Sequence, residues 1–116
     1  MSMTIKTLID KLQDSPELIE FTDVMSVIDA NYHYTPTCFY NGEIINEAGC
    51  NEGSCKLLAF AQLQGFSEMQ TLALFGRYYR EDVLLNPAGD DHANIRNFIL
   101  DGWLGIRFAG EPLVKK

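Results

Sequence analysis

Ile5, Leu8, Ile9 and Leu12 recur at three- and four-residue spacing, which places them on one face of a helix. Thr4 stands where an N-cap belongs, and Ser15-Pro16 ends the segment. Val24, Val27 and Ile28 repeat the spacing. They predict a second helix from near Thr22, with Asp23 in its first turn and Asn31 near its end. Each helix has one apolar face to bury. The period changes at Thr35-Pro36, because the residue before a proline avoids helical geometry. Thr37–Tyr40 and Glu43–Asn46 flank Asn41-Gly42, whose tolerance of positive φ predicts a tight hairpin turn. Asn46–Gly53 is too rich in Gly, Asn and Glu for a regular element and reads as a loop.

Leu57–Leu63 is apolar on nearly every side. A buried strand competes for this run, but its Ala and Leu content favours a central helix, with Ser54 capping its start and Gly65 closing it. Ser67-Glu68 opens the next helix, in which Thr71, Leu74, Phe75, Tyr78 and Asp82 share one broad face up to Asn86-Pro87. Pro87–Asp91 is a polar loop, and Asp91 with Asn94 marks a further helix start. Ile95, Phe98 and Ile99 then face the core as far as Gly102, with Trp103 beside it as a packing anchor. Trp103–Phe108 and Pro112–Val114 flank Ala109-Gly110 and predict a terminal hairpin. The fold class expected is α+β: one helix-rich domain over 1–116, packed on a small, mainly antiparallel sheet.

The chain has 116 residues, 47% of them hydrophobic, which supplies a core without metal or disulfide staples. Nine basic residues against sixteen acidic ones give a net charge of -7, with no basic stripe. That balance argues against nucleic acid and against anionic membranes as partners. Three cysteines, Cys38, Cys50 and Cys55, are a poor disulfide framework and suit a reducing compartment. No apolar run is long enough to span a bilayer and no signal core opens the chain, so the expected location is the cytoplasm.

Two stretches, Tyr32–Lys56 and Leu74–Phe98, concentrate Asn, Tyr, Arg, His, Asp and Glu among apolar residues. Large hydrogen-bonding side chains set among aromatics point to a buried polar network or a lined pocket. Cys55 is the leading nucleophile candidate, because helix-start amides stabilise a thiolate. His33 or His92 would serve as its base, oriented by Asp90, Asp91 or Asn94. The plainer reading of Cys55 is a structural thiol beside Leu58 and Ala59. Glu52–Lys56 can cradle an anion at a helix start, with Arg77 or Arg80 closing over it, although the phosphate-loop glycine spacing is absent. Alternatively Arg77 and Arg80 pair with Glu43 or Glu47 and brace the hairpin. Tyr32, Tyr34, Tyr40, Tyr78 and Tyr79 are either stacking surfaces or core-edge residues. Three Cys and two His lack zinc spacing, and no calcium loop is present, so neither metal nor cofactor is expected.

The chain resembles the HopJ type III effector family. The resemblance rests on FTDVMSVIDANYHY, TPTCFYNGEIINEAGCNEGSCK and LAFAQLQG, then on TLALFGRYYREDVL, DDHANIRNF and GWLGIRF, and spans Ile5 to Leu113. It implies no catalytic residue. It does imply a polar signature at Asn41, Glu43, Asn46, Glu47, Asn51, Ser54, Cys55, Arg77, Tyr78, Arg80, Asp82, Asp91, His92, Asn94 and Arg96. Cys50 departs from the family pattern, which has a polar residue such as Gln there, and this leaves Cys55 the better thiol. Secretion into a host cell would follow from the resemblance alone. The reading expected is a polar small-molecule binder with its site at Asn41, Glu43, Asn46, Glu47, Asn51, Ser54, Arg77, Tyr78, Arg80, Asp82, Asp91, His92 and Asn94. Its ligand would be polar or anionic. The rivals are a structural or protein-interaction module with a protein partner, and a Cys-dependent enzyme built on Cys55.

Overall fold

The computed structural model describes residues 4–116. Helix α1 spans Ile5–Asp14, and the Thr4 side chain accepts a hydrogen bond from the Thr7 amide at 3.1 Å. A short 3-10 turn, Pro16–Leu18, leads to α2, Phe21–Asn31, which buries Val24, Val27 and Ile28. Strands β1 (Tyr32–Tyr34), β2 (Phe39–Asn41) and β3 (Ile44–Asn46) follow. Helix α3, Glu52–Gln64, is the central one. Leu57, Leu58, Ala59, Phe60 and Ala61 are all buried, so it is apolar around its circumference as the composition of that run requires. Then come α4 (Glu68–Leu74), a π-helical turn (Tyr78–Val83), α5 (Ala93–Asp101), a 3-10 turn (Gly102–Gly105), β4 (Ile106–Phe108) and β5 (Leu113–Lys115).

The architecture is α+β, with helices dominating and two small antiparallel sheets. One sheet has the order β3-β2-β4 and the other pairs β1 with β5. The core fills the space between helices and sheets around Phe39, Phe60, Phe75 and Phe98, all essentially inaccessible to solvent. Trp103 anchors the end of α5. Its indole N–H donates to the Phe66 carbonyl at 3.0 Å, and its ring meets Phe98 edge-on.

Four local expectations are corrected. The hairpin turn is Gly42-Glu43, one residue later than Asn41-Gly42, because β2 runs through Asn41 and Asn41 pairs with Ile44. Gly42 takes φ 60 at the first central position, and the shift leaves the Asn41 amide inside, where it is fully buried and bonded. Ser54 does not cap α3; the helix starts earlier and its N-cap is Asn51, in the left-handed region at φ 53. The single helix expected from Ser67 to Asn86 is broken. Ser67 and Gln70 form a capping box at its start, but Gly76, at φ 63, interrupts it after Leu74. The terminal hairpin does not form. β4 pairs with β2 and β5 pairs with β1, so the two strands separate to complete different sheets.

Candidate functional site

Three elements start or end at one place. β3 delivers Ile44 and Asn46, α3 begins with Asn51, Gly53 and Ser54, and α5 begins with His92 through Ile95. Phe21, Phe75 and Tyr78 complete a cavity of about 350 Å³. Its floor is an asparagine network. Asn46 and Asn94 exchange carboxamide hydrogen bonds, Asn94 Nδ2 to Asn46 Oδ1 at 2.9 Å and Asn46 Nδ2 to Asn94 Oδ1 at 3.1 Å. Asn41 Nδ2 donates to the Asn94 carbonyl at 2.8 Å and to its Oδ1 at 3.1 Å. Asn51 Nδ2 donates to Asn46 Oδ1 at 2.7 Å. Asn97 Nδ2 donates to Asn41 Oδ1 at 2.9 Å, behind the cavity. Asn41, Asn46 and Asn94 are buried, so these mutual bonds replace the water they lose.

One wall is aromatic. Phe75 stacks on Phe21 at 6.3 Å, Phe21 meets Tyr78 edge-on at 5.2 Å, and Tyr78 lies over the His92 ring at 5.0 Å. His92 Nε2 sits 3.0 Å from Asp82 Oδ2. Arg96 pins the preceding loop, donating from Nη1 to the Asn86 carbonyl at 2.9 Å, from Nε to the Asp91 carbonyl and from Nη2 to the Asp91 carboxylate, both at 2.6 Å. That last bond is the main reason the Asp91 carboxyl lies below its ordinary range. His92 is thereby held at φ 50 as the N-cap of α5. It and Asn51 are the two non-glycine residues at positive φ among the described residues, and both border this cavity. Neither helix start has a side-chain cap hydrogen bond. Asn51 Oδ1, the Ser54 hydroxyl and the Tyr78 hydroxyl likewise engage no hydrogen-bond partner among the described residues.

The structure therefore brings Asn46, Asn51, Ser54, Tyr78, His92 and Asn94 to one cavity. Asn41 lies beneath it, and Asp82 and Asp91 stand behind His92. Glu43 is in the hairpin turn and Glu47 follows β3; neither lines the cavity. Arg77 and Arg80 do not reach it either. Both pair with Glu20, at 3.3 and 3.5 Å, and not with Glu43 or Glu47, while Arg80 also donates to the Ile19 carbonyl at 2.7 Å. Lys56, at the end of the expected anion cradle, turns to Asp29 at 3.0 Å and lies over the Tyr34 ring. Of the five tyrosines only Tyr78 lines the cavity. Phe21 and Phe75 carry no polar signal in the sequence that would assign them to the site, and Gly53 enters it there only within the Glu52–Lys56 anion cradle. A Cβ on Gly53 would stand 2.8 Å from the Phe21 ring, so a glycine there keeps the aromatic wall in place.

Cys55 faces the other way. It is 1% exposed, and its thiol donates to the Thr37 carbonyl at 3.7 Å. Burial pushes that thiol up to about 11. Burial and then the neighbouring Glu52 carboxylate likewise raise Tyr34, whose buried hydroxyl meets no hydrogen bond of good geometry among the described residues. His33 is exposed on β1, and His92 is engaged with Asp82. All three cysteines are free. The expected outcome of alkylating the folded protein with iodoacetamide at pH 7.5 is rapid labelling of exposed Cys50. Cys55, whose thiolate fraction is lowered about 100-fold by its shift alone, should label only on unfolding. Tryptic mapping of the adducts checks this, and labelling of Cys55 at the rate of Cys50 would contradict the inert-thiol geometry. The sign also fixes an alkaline effect. A raised folded value means that the protonated thiol's stabilisation is intact below pH 9 and is lost as pH rises towards 11.

No group of three His, Cys, Asp or Glu suited to a metal ion occurs among the described residues, and no described helix is long and apolar enough to cross a membrane. A family model described as HopJ type III effector protein matches residues 5–113. The crystal structure of the unknown-function protein VPA0580 is similar to the chain with a TM-score of 0.96 and 50% sequence identity, covering 100% of this chain and 97% of that one. No curated protein matches the chain.

Proposed function

The chain belongs to the HopJ type III effector protein family, and from that premise we propose that it works by recognition, holding a polar small molecule in the asparagine-lined cavity. The observation that carries this reading is the convergence of Asn51, Ser54, Tyr78 and two uncapped helix starts, all with unused hydrogen-bonding capacity, on one concave site. Asn51 and Tyr78 are open to solvent and Ser54 is half-buried, so water meets these groups in the free protein, and a ligand with matching donors and acceptors can take its place. The bonds among the buried asparagines fix the positions of these groups.

Ser54→Leu fills the cavity from α3 and removes none of the bonds among the asparagines. Native mass spectrometry after incubation with a bacterial metabolite extract should show a non-covalent adduct on the unaltered protein. The adduct should fall at least about tenfold in Ser54→Leu, as expected when an apolar group displaces ligand and leaves polar partners unpaired. An adduct that survives the substitution, or no adduct at all, overturns the reading.

A protein-interaction role is the second reading, and both the family description and a separate surface favour it. Ile45, Tyr40 and Arg107 stand side by side across β3, β2 and β4 on the outward face of the sheet. Leu100 and Leu104, 80% and 96% exposed, border the Arg107 end. Exposed apolar residues clustered in this way mark contact surfaces. Under this reading a captured protein partner is lost in Leu104→Asp and retained in Ser54→Leu.

A further inference from the structure

Resting on the cavity reading above, we propose that the ligand is an uncharged planar heterocycle with amide-like edges, a nucleobase or nucleoside carrying no phosphate. The cavity joins two walls of different chemistry. Phe21, Tyr78 and His92 offer flat rings in mutual contact, and Tyr78 is 42% exposed, so its surface is available to a further ring. Facing them are carboxamides. Asn51 keeps a free acceptor oxygen, Asn94 keeps a second amide hydrogen, and Ser54 both donates and accepts. A donor and an acceptor in one cavity are the pair that the edge of a lactam or aminopyrimidine ring also carries.

Charge narrows the class. No Lys or Arg lines the cavity. Each nearby cation is already engaged: Lys56 on Asp29, Arg77 and Arg80 on Glu20, and Arg96 on Asp91. The carboxylates of Asp82 and Asp91 stand 3.0 and 3.9 Å from His92 Nε2, in a chain of net charge -7, and Arg77, which borders Phe21 and Tyr78 outside the cavity, is held by Glu20. A phosphate monoester brought here would find no guanidinium or ammonium among the lining residues to pair with. The volume of about 350 Å³ lies at the small end of ligand sites and suits a base or nucleoside.

The test uses the full chain and amide-resolved NMR titration. The probes are uracil, uridine, adenine and adenosine, the monophosphates of the two nucleosides, and glucose and glutamine as non-planar comparators. At least one base or nucleoside should shift the amides of Gly53, Ser54, Ala93 and Asn94. Its monophosphate should bind about threefold more weakly, the order expected for a solvent-exposed charge effect. Tyr78→Leu should weaken binding by between about 5- and 100-fold, the range of one lost base stack, while Tyr78→Phe, which keeps the ring and loses only the hydroxyl, should lose less than Tyr78→Leu. A monophosphate binding as tightly as its nucleoside, or equal binding in Tyr78→Leu, overturns the assignment of class. Glucose or glutamine alone shifting those amides overturns the class and leaves the cavity reading standing. If no probe shifts them, the class assignment falls, and the Ser54→Leu adduct experiment separately decides the cavity reading.

Discussion

Asn94→Ala is expected to lower the free energy of unfolding by about 3 kcal/mol, close to 1 kcal/mol for each of three buried hydrogen bonds lost. The three are those to Asn94 Oδ1 from Asn41 and Asn46 and the one from Asn94 Nδ2 to Asn46 Oδ1. What remains is poor compensation. Asn46 Nδ2 keeps only a 3.5 Å contact to the Phe39 carbonyl, so a buried donor is left nearly without a partner. Small domains are stable by about 5–15 kcal/mol, so this single carboxamide accounts for a large share. Urea denaturation checks it, with the midpoint falling and the slope unchanged. Asn46→Ala should cost a similar amount, and the double variant should fall short of the sum by about 0.5–3 kcal/mol because the two amides bond each other. Strict additivity would mean that the asparagines are independent and no network exists.

Gly76→Ala is expected to cost about 2–5 kcal/mol, by two separable effects. Gly76 is at φ 63, where an L side chain costs roughly 1–2 kcal/mol. A Cβ there would stand 2.8 Å from the Phe21 amide nitrogen and 3.0 Å from the Ile19 carbonyl oxygen. Both are backbone atoms that cannot rotate aside, so crowding adds roughly 1–3 kcal/mol. Gly65→Ala isolates the first effect, because Gly65 has φ 71 and open space around the would-be Cβ. Thermal unfolding of the two variants side by side measures the difference. Equal losses would show that backbone conformation alone matters at Gly76. The larger loss should also come with weakened ligand binding, since Phe21 belongs to the cavity's aromatic wall.

Helical spacing made α1 and α2 readable, Ala and Leu content decided for the apolar α3, and the capping residues Thr4 and Ser67 marked two starts correctly. The break at Gly76 was not readable, because the helical pattern from Thr71 to Asp82 continues through it. Only the close pass of the Ile19–Phe21 backbone makes a glycine necessary there. The strand partners of the terminal segment were hidden for a related reason. Ala109-Gly110 is sound turn chemistry, yet local chemistry does not tell a strand that its best partner lies some seventy residues back, as Phe39 does for Phe108. The polar content of the site was visible as an excess of asparagines. Their division into floor and rim was not, since Asn41 and Asn51 differ in burial only through tertiary position. The arginines misled because Glu20, their partner, sits outside both polar stretches.

The pairing of β4 with β2 and of β5 with β1 bears on how the chain can be made. During synthesis the helices α1 to α4 emerge first, together with β1, β2 and β3. None of these can close the β1–β5 ladder, and the sheet of β2 remains one strand short until residues 106–115 arrive. Until those residues emerge, the chain exposes the Asn41 edge and the Tyr32 edge together, with their backbone amides unpaired. Residues 106–115 thus act as a lock on two separate sheets, and neither sheet is complete without them.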